Sequence, residues 1–201
     1  MPSVSTGEPV VGLTFKPLTA ENWGDFEALF TRRGVQNGCW CMYWRVKRSE
    51  FHRGYGEPNK EAMHSIVMSG KIPGIMAYLE NIPMGWCSVA PREEFLVLDR
   101  SPTLKRVDDK PVWSIICFYA SEEHRGRGIM GSLIKAAVGY AASMGAEIVE
   151  AYPVVPEKAW DPRHEVYTGV ESTFKRLGFV EAARRSERRI VMRYRVSGSA
   201  R

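Results

Sequence analysis

The chain has 201 residues, 44% of them hydrophobic and 25% charged, which is enough for one domain with a substantial core and ordinary for a globular protein. Its formal charge of +5, from 28 Lys and Arg against 23 Asp and Glu, favours anionic partners such as phosphorylated cofactors but is small for a nucleic-acid binder. No apolar run is long enough to span a bilayer, MPSVSTGEPV lacks the basic and apolar regions of a secretory leader, and the Cys content makes no disulfide framework, so a cytoplasmic location without membrane contact is expected.

LTFKPL (13–18) alternates apolar and polar residues, as a strand with one buried face does. Trp23, Phe26 and Phe30 recur at helical spacing, which predicts a helix over 20–33 closed at Gly34. Residues 35–57 are rich in Gly and aromatics and have no clear period. Asn59 has the chemistry of an N-cap for a helix carrying Met63, Ile66 and Val67 and stopped at Gly70. GIMAYLE (74–80) and MGWCSVA (84–90), joined at Asn81-Ile82-Pro83, predict a strand meander, and the polar stretch 91–110 reads as loop. VWSIICFYA (112–120) is a continuous apolar run, the pattern of a central strand covered on both faces. A Gly-rich loop follows, then a helix over about 128–144 with Ile129, Leu133, Ala137 and Tyr140 aligned. EIVEAYPV (147–154) is the next strand. After a Pro-rich segment (153–162), a helix over about 165–177 aligns Val166, Val170, Phe174 and Leu177. Gly178 closes it before two last strands, FVEAAR (179–184) and RRIVMRYRV (188–196). This order predicts an α/β chain of α+β layout: a single mixed, mostly antiparallel sheet flanked by helices.

The strand-to-helix junction carries the chemistry. In SEEHRGRGIMGS (121–132), glycines let the backbone approach a ligand closely, and the first N–H groups of the helix have no intrahelical partner. Those donors, the positive end of the helix dipole, and Arg125 and Arg127 together suit a pyrophosphate. Gly126, Gly128 and Gly131 also meet the bare spacing of a dinucleotide-binding loop, so a nucleotide-dependent oxidoreductase competes, although Glu147 and Glu150 lie in a segment that runs on into YPVVP. No Gly-Lys-Ser/Thr follows, which excludes a P-loop.

FYASEEHRGRGIMGSLIKAA resembles the signature segment of the GNAT superfamily of acyl-CoA-dependent N-acyltransferases, Arg/Gln-x-x-Gly-x-Gly/Ala. Arg125 and Gly128 stand at their positions in that pattern, whereas Met130 replaces the last Gly or Ala and Gly131 comes one residue late. ESTFKRLGFVEAAR (171–184) resembles the family's closing motif, a helix ending in Gly-Phe before a strand. The resemblance implies a GNAT-like fold: a flexible tail over 1–10, then a single acyltransferase domain over 11–201, with 11–110 as the acceptor-side half and 111–196 as the acyl-CoA-binding half. It implies acetyl-CoA as co-substrate, its pantetheine arm along Phe118, Tyr119 and Ala120. Its pyrophosphate would lie on Arg125, Gly126, Arg127, Gly128, Ile129, Met130, Gly131 and Ser132, with Phe174 beside the cofactor. The implied reaction moves an acetyl or other acyl group to a primary amine of a small molecule or peptide, by direct attack in a ternary complex.

Many relatives place a Tyr acid four residues before the Gly of Gly-Phe. That position is Phe174 here, which has no proton to donate. Tyr167 and Tyr152 are the nearest hydroxyls by sequence, and Ser114 stands where some relatives have a Glu base. These three are the candidate catalytic residues, beside proton removal through ordered water; each Tyr reads equally as a packed residue with a satisfied hydroxyl. The same departures, Phe174 and Ser114, favour the alternative of a non-catalytic acyl-CoA-binding sensor or regulatory module.

Cys39-Trp40-Cys41, with His52 and His64, lacks the usual zinc-ligand spacing, so no metal is expected; the thiols read as buried, or as part of an acceptor wall. The connection 152–169, with Trp160, His164 and Tyr167, reads as an acceptor wall or a rigid crossover. Arg184, Arg185, Arg188, Arg189, Arg193 and Arg195 flank the last strand as a solvated face or edge, and no nucleic-acid partner is expected. A homodimer is allowed.

Overall fold

The computed structural model describes residues 10–32, 38–121, 127–156 and 166–196. Seven strands form one sheet: β1 (Leu13–Pro17), β2 (Gly74–Leu79), β3 (Ile82–Pro91), β4 (Trp113–Ala120), β5 (Ile148–Ala151), β6 (Val180–Arg184) and β7 (Ile190–Arg195). Their spatial order is β1-β2-β3-β4-β5-β7-β6, with β4–β5 parallel and every other neighbouring pair antiparallel. Among the described residues five helices flank it: α1 (Trp23–Phe30), α2 (Arg48–Arg53), α3 (Glu57–Met68), α4 (Ile129–Ser143) and α5 (Glu171–Arg176). The mixed, mostly antiparallel sheet expected from the sequence is the observed one.

Strand alternation sorts the core into two layers. Ile75, Ala77, Cys87 and Val89 point to one face, where Leu133, Ala137 and Ala141 of α4 and Phe174 of α5 cover them. Met76, Tyr78 and Trp86 point to the other face, under Phe26 and Phe30 of α1 and Met63 and Val67 of α3. Each such large apolar side chain, fully buried, stabilises the fold by about 1.5–3 kcal/mol. This second layer is rich in aromatic contacts: Phe26 meets Trp86 edge-on at 4.8 Å and Phe30 stacks on Trp40 at 5.6 Å.

Local reading fails in four places. The first predicted helix opens as a 3-10 turn (Ala20–Asn22) before α1. Residues 35–57 contain α2, a helix too short to show a period. Asn59 is not a cap: α3 starts at Glu57 behind Gly56, and the Asn59 amide, 3% exposed, donates to the carbonyls of Gly38 (3.0 Å) and Phe51 (3.3 Å). The helix predicted over 165–177 is a 3-10 turn (Val166–Thr168) and a separate α5, so Tyr167 and Phe174 do not share a helical face. Gly169 divides them: its φ is +79°, and a Cβ there would lie 2.7 Å from the Phe174 ring.

Candidate functional site

β4 pairs with β5 only at Trp113, Ser114 and Ile115, opposite Val149, Glu150 and Ala151. Past Ile115, β4 continues against β3, with Phe118 opposite Cys87 and Ala120 opposite Gly85. Beyond Ala151 the other chain leaves through Tyr152-Pro153, and Val154 bridges instead to Val170 and Arg189. Pro153 has no N–H for a ladder, which suits the end of a strand. The strands thus form a fork, and among the described residues no strand pairs with the second half of β4 on the side of the gap. Phe118 and Phe174, ring centroids 6.0 Å apart, pack together in the core on the α4 side, and the turn Val166–Thr168 packs against β4.

A β-bulge sits at the fork. Cys117 opposes Ser88 but Ile115 opposes Val89, so Ile116 is the extra residue. The bulge puts Ile116 and Cys117 on one face in succession: Ile116 is in one buried cluster with Trp44 and Tyr152, and Cys117 packs against that cluster. Phe118 and Ala120 then face α4, while Tyr119 faces Phe30 at 6.1 Å.

At the far end of the gap α4 begins. Gly128 is its cap residue in the left-handed conformation (φ +81°), and no side chain caps the helix. The first amides of α4 therefore lack a partner within the helix. A Cβ built on Gly128 or Gly131 would meet nothing within 4 Å among the described residues. Ile129 is buried in the core, whereas Met130, Gly131 and Ser132 are half-buried along the mouth. Arg125 and Gly126 lie outside the described residues, as do Trp160 and His164.

The closed end of the fork is a buried polar network. Ser114 Oγ lies 2.7 Å from the Tyr152 hydroxyl, which donates to Glu150 Oε2 at 2.8 Å and accepts from Arg92 Nη1 at 2.6 Å. Arg92 also binds Asp99 (2.7 Å) and the Leu104 carbonyl (2.9 Å) through Nη2. Arg193 Nε reaches Glu150 Oε1 at 2.7 Å, and its Nη atoms clamp Asp108 at 2.7 and 2.8 Å. Glu150 and Tyr152 are each 1% exposed, Ser114 0%. Burial, reinforced by the Glu150 charge against the opposing Arg92, pushes the Tyr152 hydroxyl far above the ordinary tyrosine range. A hydroxyl so placed holds the fork together rather than meeting solvent. Ser114 and Tyr152 are thus brought together, and Tyr167 stands apart from both.

Tyr167 sits at the margin of the other face, 6.5 Å from Tyr43 between ring centroids. It is partly exposed, yet crowded enough that burial pushes its hydroxyl up to about 12. Nearby, Trp40 and Cys41 both take positive φ (44° and 54°), a conformation that costs roughly 1–3 kcal/mol per residue. Trp86 Nε1 donates to Cys41 Sγ at 3.1 Å, and Cys41 Sγ lies 3.3 Å from Cys117 Sγ at the bulge. The hydrogen bond with Cys41, then burial, holds the Cys117 thiol well above its usual range. Burial likewise pushes Cys39 up to about 12. Held protonated, the Cys39 and Cys117 thiols are poor nucleophiles. Among the described residues no group of three or more His, Cys, Asp or Glu is arranged to hold a metal.

Sequence reasoning missed Arg92, Glu150, Arg193 and Asp108. A lone carboxylate inside the apolar strand IVEA was the available signal, because a buried charge requires a partner. The C-terminal arginines were read as a solvated face or edge. Arg184 on edge strand β6 fits that, bonding Glu181 and Glu171. Arg193 belongs to the network, Arg185 binds the carbonyls of Lys105 and Arg106, and Arg189 binds Thr168.

Comparison with known proteins agrees with this geometry. The protein-family profile "Acetyltransferase (GNAT) family" matches residues 40–164, more than half of the chain. No curated protein sequence matches significantly. Among solved structures, the chain resembles a GNAT-family acetyltransferase from Streptococcus agalactiae (TM-score 0.56, 10% identity, covering 96% of this chain and 100% of that one). It also resembles the PaiA N-acetyltransferase of Thermoplasma acidophilum in complex with coenzyme A (0.51, 12%, 92% and 99%). A third is a chain of the NatC complex bound to Gag peptide and CoA (0.52, 11%, 93% and 100%). At such identities the likeness shows the fold alone. With the profile match across the central sheet, the forked strands and the uncapped helix start behind Gly128, the chain belongs to the GNAT acetyltransferase family.

Proposed function

We propose that this protein moves an acetyl, or another acyl, group from acetyl-CoA to a primary amine in a ternary complex. The observation that carries the reading is the fork between β4 and β5 together with the start of α4 behind the left-handed Gly128. Main-chain groups of Phe118, Tyr119 and Ala120 suit an amide-rich pantetheine arm. The amides of Ile129, Met130 and Gly131, with Gly128 and Arg127, suit a pyrophosphate. Acetyl-CoA supplies the activated acyl group. The backbone at the Ile116–Cys117 bulge offers N–H donors for a carbonyl oxygen, and the face carrying Cys117 and Tyr119 receives the amine.

Ser114 and Tyr152 are positioning residues in this account, because their hydroxyls are held by Arg92 and Glu150 and sealed from the cleft. Tyr167 is the candidate that a substrate can reach. Proton removal from the ammonium proceeds through water. Thiol release from acetyl-CoA across a panel of primary amines tests the reaction, and at least one amine is expected to turn over. The buried ring of Phe174 and the locked Ser114 favour a second reading, a non-catalytic acyl-CoA-binding module; binding of acetyl-CoA without turnover of any amine would support it.

A further inference from the structure

Most cationic side chains near the sheet are committed within the protein. Arg45 pairs with Glu94, Lys60 with Glu27 and Glu57, Arg106 with Glu93 and Asp99, and Arg193 with Glu150 and Asp108. Lys47, Arg48 and Arg100 differ. They surround an open cleft of about 390 Å³ that Trp44 and Ser101 also line, and no carboxylate is among its lining residues. Among the described residues Lys47 pairs only with Glu50, at 3.8 Å and with both side chains well exposed, a pair of little strength. Arg48 is aimed by Tyr43: its guanidinium lies over that ring at 5.2 Å and donates to the Tyr43 hydroxyl, which leaves other N–H groups for a ligand. The Arg100 side chain is exposed and has no hydrogen-bond or ion-pair partner among the described residues.

The position of the cleft gives these charges a use. Trp44, 8% exposed, packs in one cluster with Ile116 of the β4 bulge, and its ring meets Tyr43 at 4.9 Å. Tyr43 in turn faces Tyr167. The cleft therefore lies on the face of the sheet that carries Cys117, opposite α4, on the side assigned above to the acceptor.

We propose that Lys47, Arg48 and Arg100 hold an anionic group, a carboxylate or phosphate, carried by the acceptor. This rests on the acyl-transfer reading and narrows its substrate class to amines that also bear an anion. Three strongly hydrated or fork-shaped donors around a carboxylate-free cleft favour an anion over a neutral chain. They also disfavour a polyamine by charge repulsion.

Two measurements test it. In the first, the wild-type protein is titrated with inorganic phosphate while the indole N–H resonance of Trp44, assigned with Trp44→Phe, is followed by NMR. A saturable shift with a dissociation constant on the order of millimolar is expected, weakened at least about tenfold in a Lys47→Ala/Arg100→Ala variant. No saturable shift, or an equal shift in the variant, would overturn the cleft assignment whether or not the protein is a transferase. In the second, thiol release is compared for matched acceptors: phosphoethanolamine against ethanolamine, and amino acids against their amides. The anionic member of at least one pair is expected to be favoured about tenfold or more, through KM. That preference should vanish in the variant while calorimetric affinity for acetyl-CoA is unchanged. Equal use of both members, or a preference that survives the variant, would overturn the acceptor role. A loss of acetyl-CoA affinity in the variant would also overturn it, by giving the cleft to the cofactor. If no amine turns over while phosphate binds, the transfer reading falls, and the acceptor role with it, but the anion cleft stands.

Discussion

The first half of β4, Trp113–Ile115, and its second half, Ile116–Ala120, share one strand but opposite surroundings. The first half is paired on both edges and clamped by a network of two arginines, carboxylates and two hydroxyls. The second half is paired on one edge and bulged, and it faces a gap on the other. Parallel strands left to themselves tend to zip, since each ladder bond satisfies two buried backbone groups. A lasting gap therefore needs a point beyond which pairing stops, and the buried network and Pro153 supply one. The cleft is open because its vertex is closed.

The largest expected effect comes from breaking the vertex. Glu150→Ala strips Arg92 and Arg193 of their shared carboxylate and should cost about 3–5 kcal/mol, read from the urea midpoint. A variant as stable as wild type would show that the network does not hold the fork. On the open side, Gly128→Asp should weaken acetyl-CoA about 100-fold, equivalent to about 2.7 kcal/mol, by setting like charge before the helix start. Gly128→Ala, which adds backbone strain without charge, should retain most of the affinity; equal losses in both would point to the backbone instead of the anion site.

Tyr152→Phe should lose about 1–3 kcal/mol of stability by leaving Arg92 and Ser114 short of a partner, with the shape of the pH–rate profile kept. A displaced basic limb would make Tyr152 a proton donor. Phe174→Tyr should also lose about 1–3 kcal/mol, because the hydroxyl enters an apolar site between Phe118, Phe179 and Gly169. A large rise in turnover would instead mean that a missing acid limits the reaction. The smallest effect concerns Asp108, which Arg193 holds well below the usual carboxylate range. Its contribution is present above the unfolded carboxylate pKa of about 3.9 and is lost as pH falls below it. Between pH 7 and pH 3, Asp108→Asn should therefore lose less stability than wild type does, and equal losses would remove Asp108 from the account.

How much of this was legible in the sequence follows the same division. β4 and α4 were readable because an apolar run and a 3.6-residue period are local signals. Residues 35–57 hid α2, whose six residues cannot display a period. The bulge was invisible because it is a mismatch between two strands and not a property of either. The network joins Arg92, Asp108, Ser114, Glu150, Tyr152 and Arg193 across the chain, and no spacing announces such contacts. Tyr167 was placed on one helix with Phe174 because the apolar spacing runs through Gly169; the packing demand there emerges only once Phe174 is seated.

Calorimetric titration of the purified protein with acetyl-CoA, with NAD(P) as the control, tests the central claim most directly. Micromolar binding of acetyl-CoA and none of NAD(P) is the predicted result. Absence of acetyl-CoA binding to the folded protein, or preference for NAD(P), would contradict the assignment of the β4 edge and the α4 start as an acyl-CoA cleft.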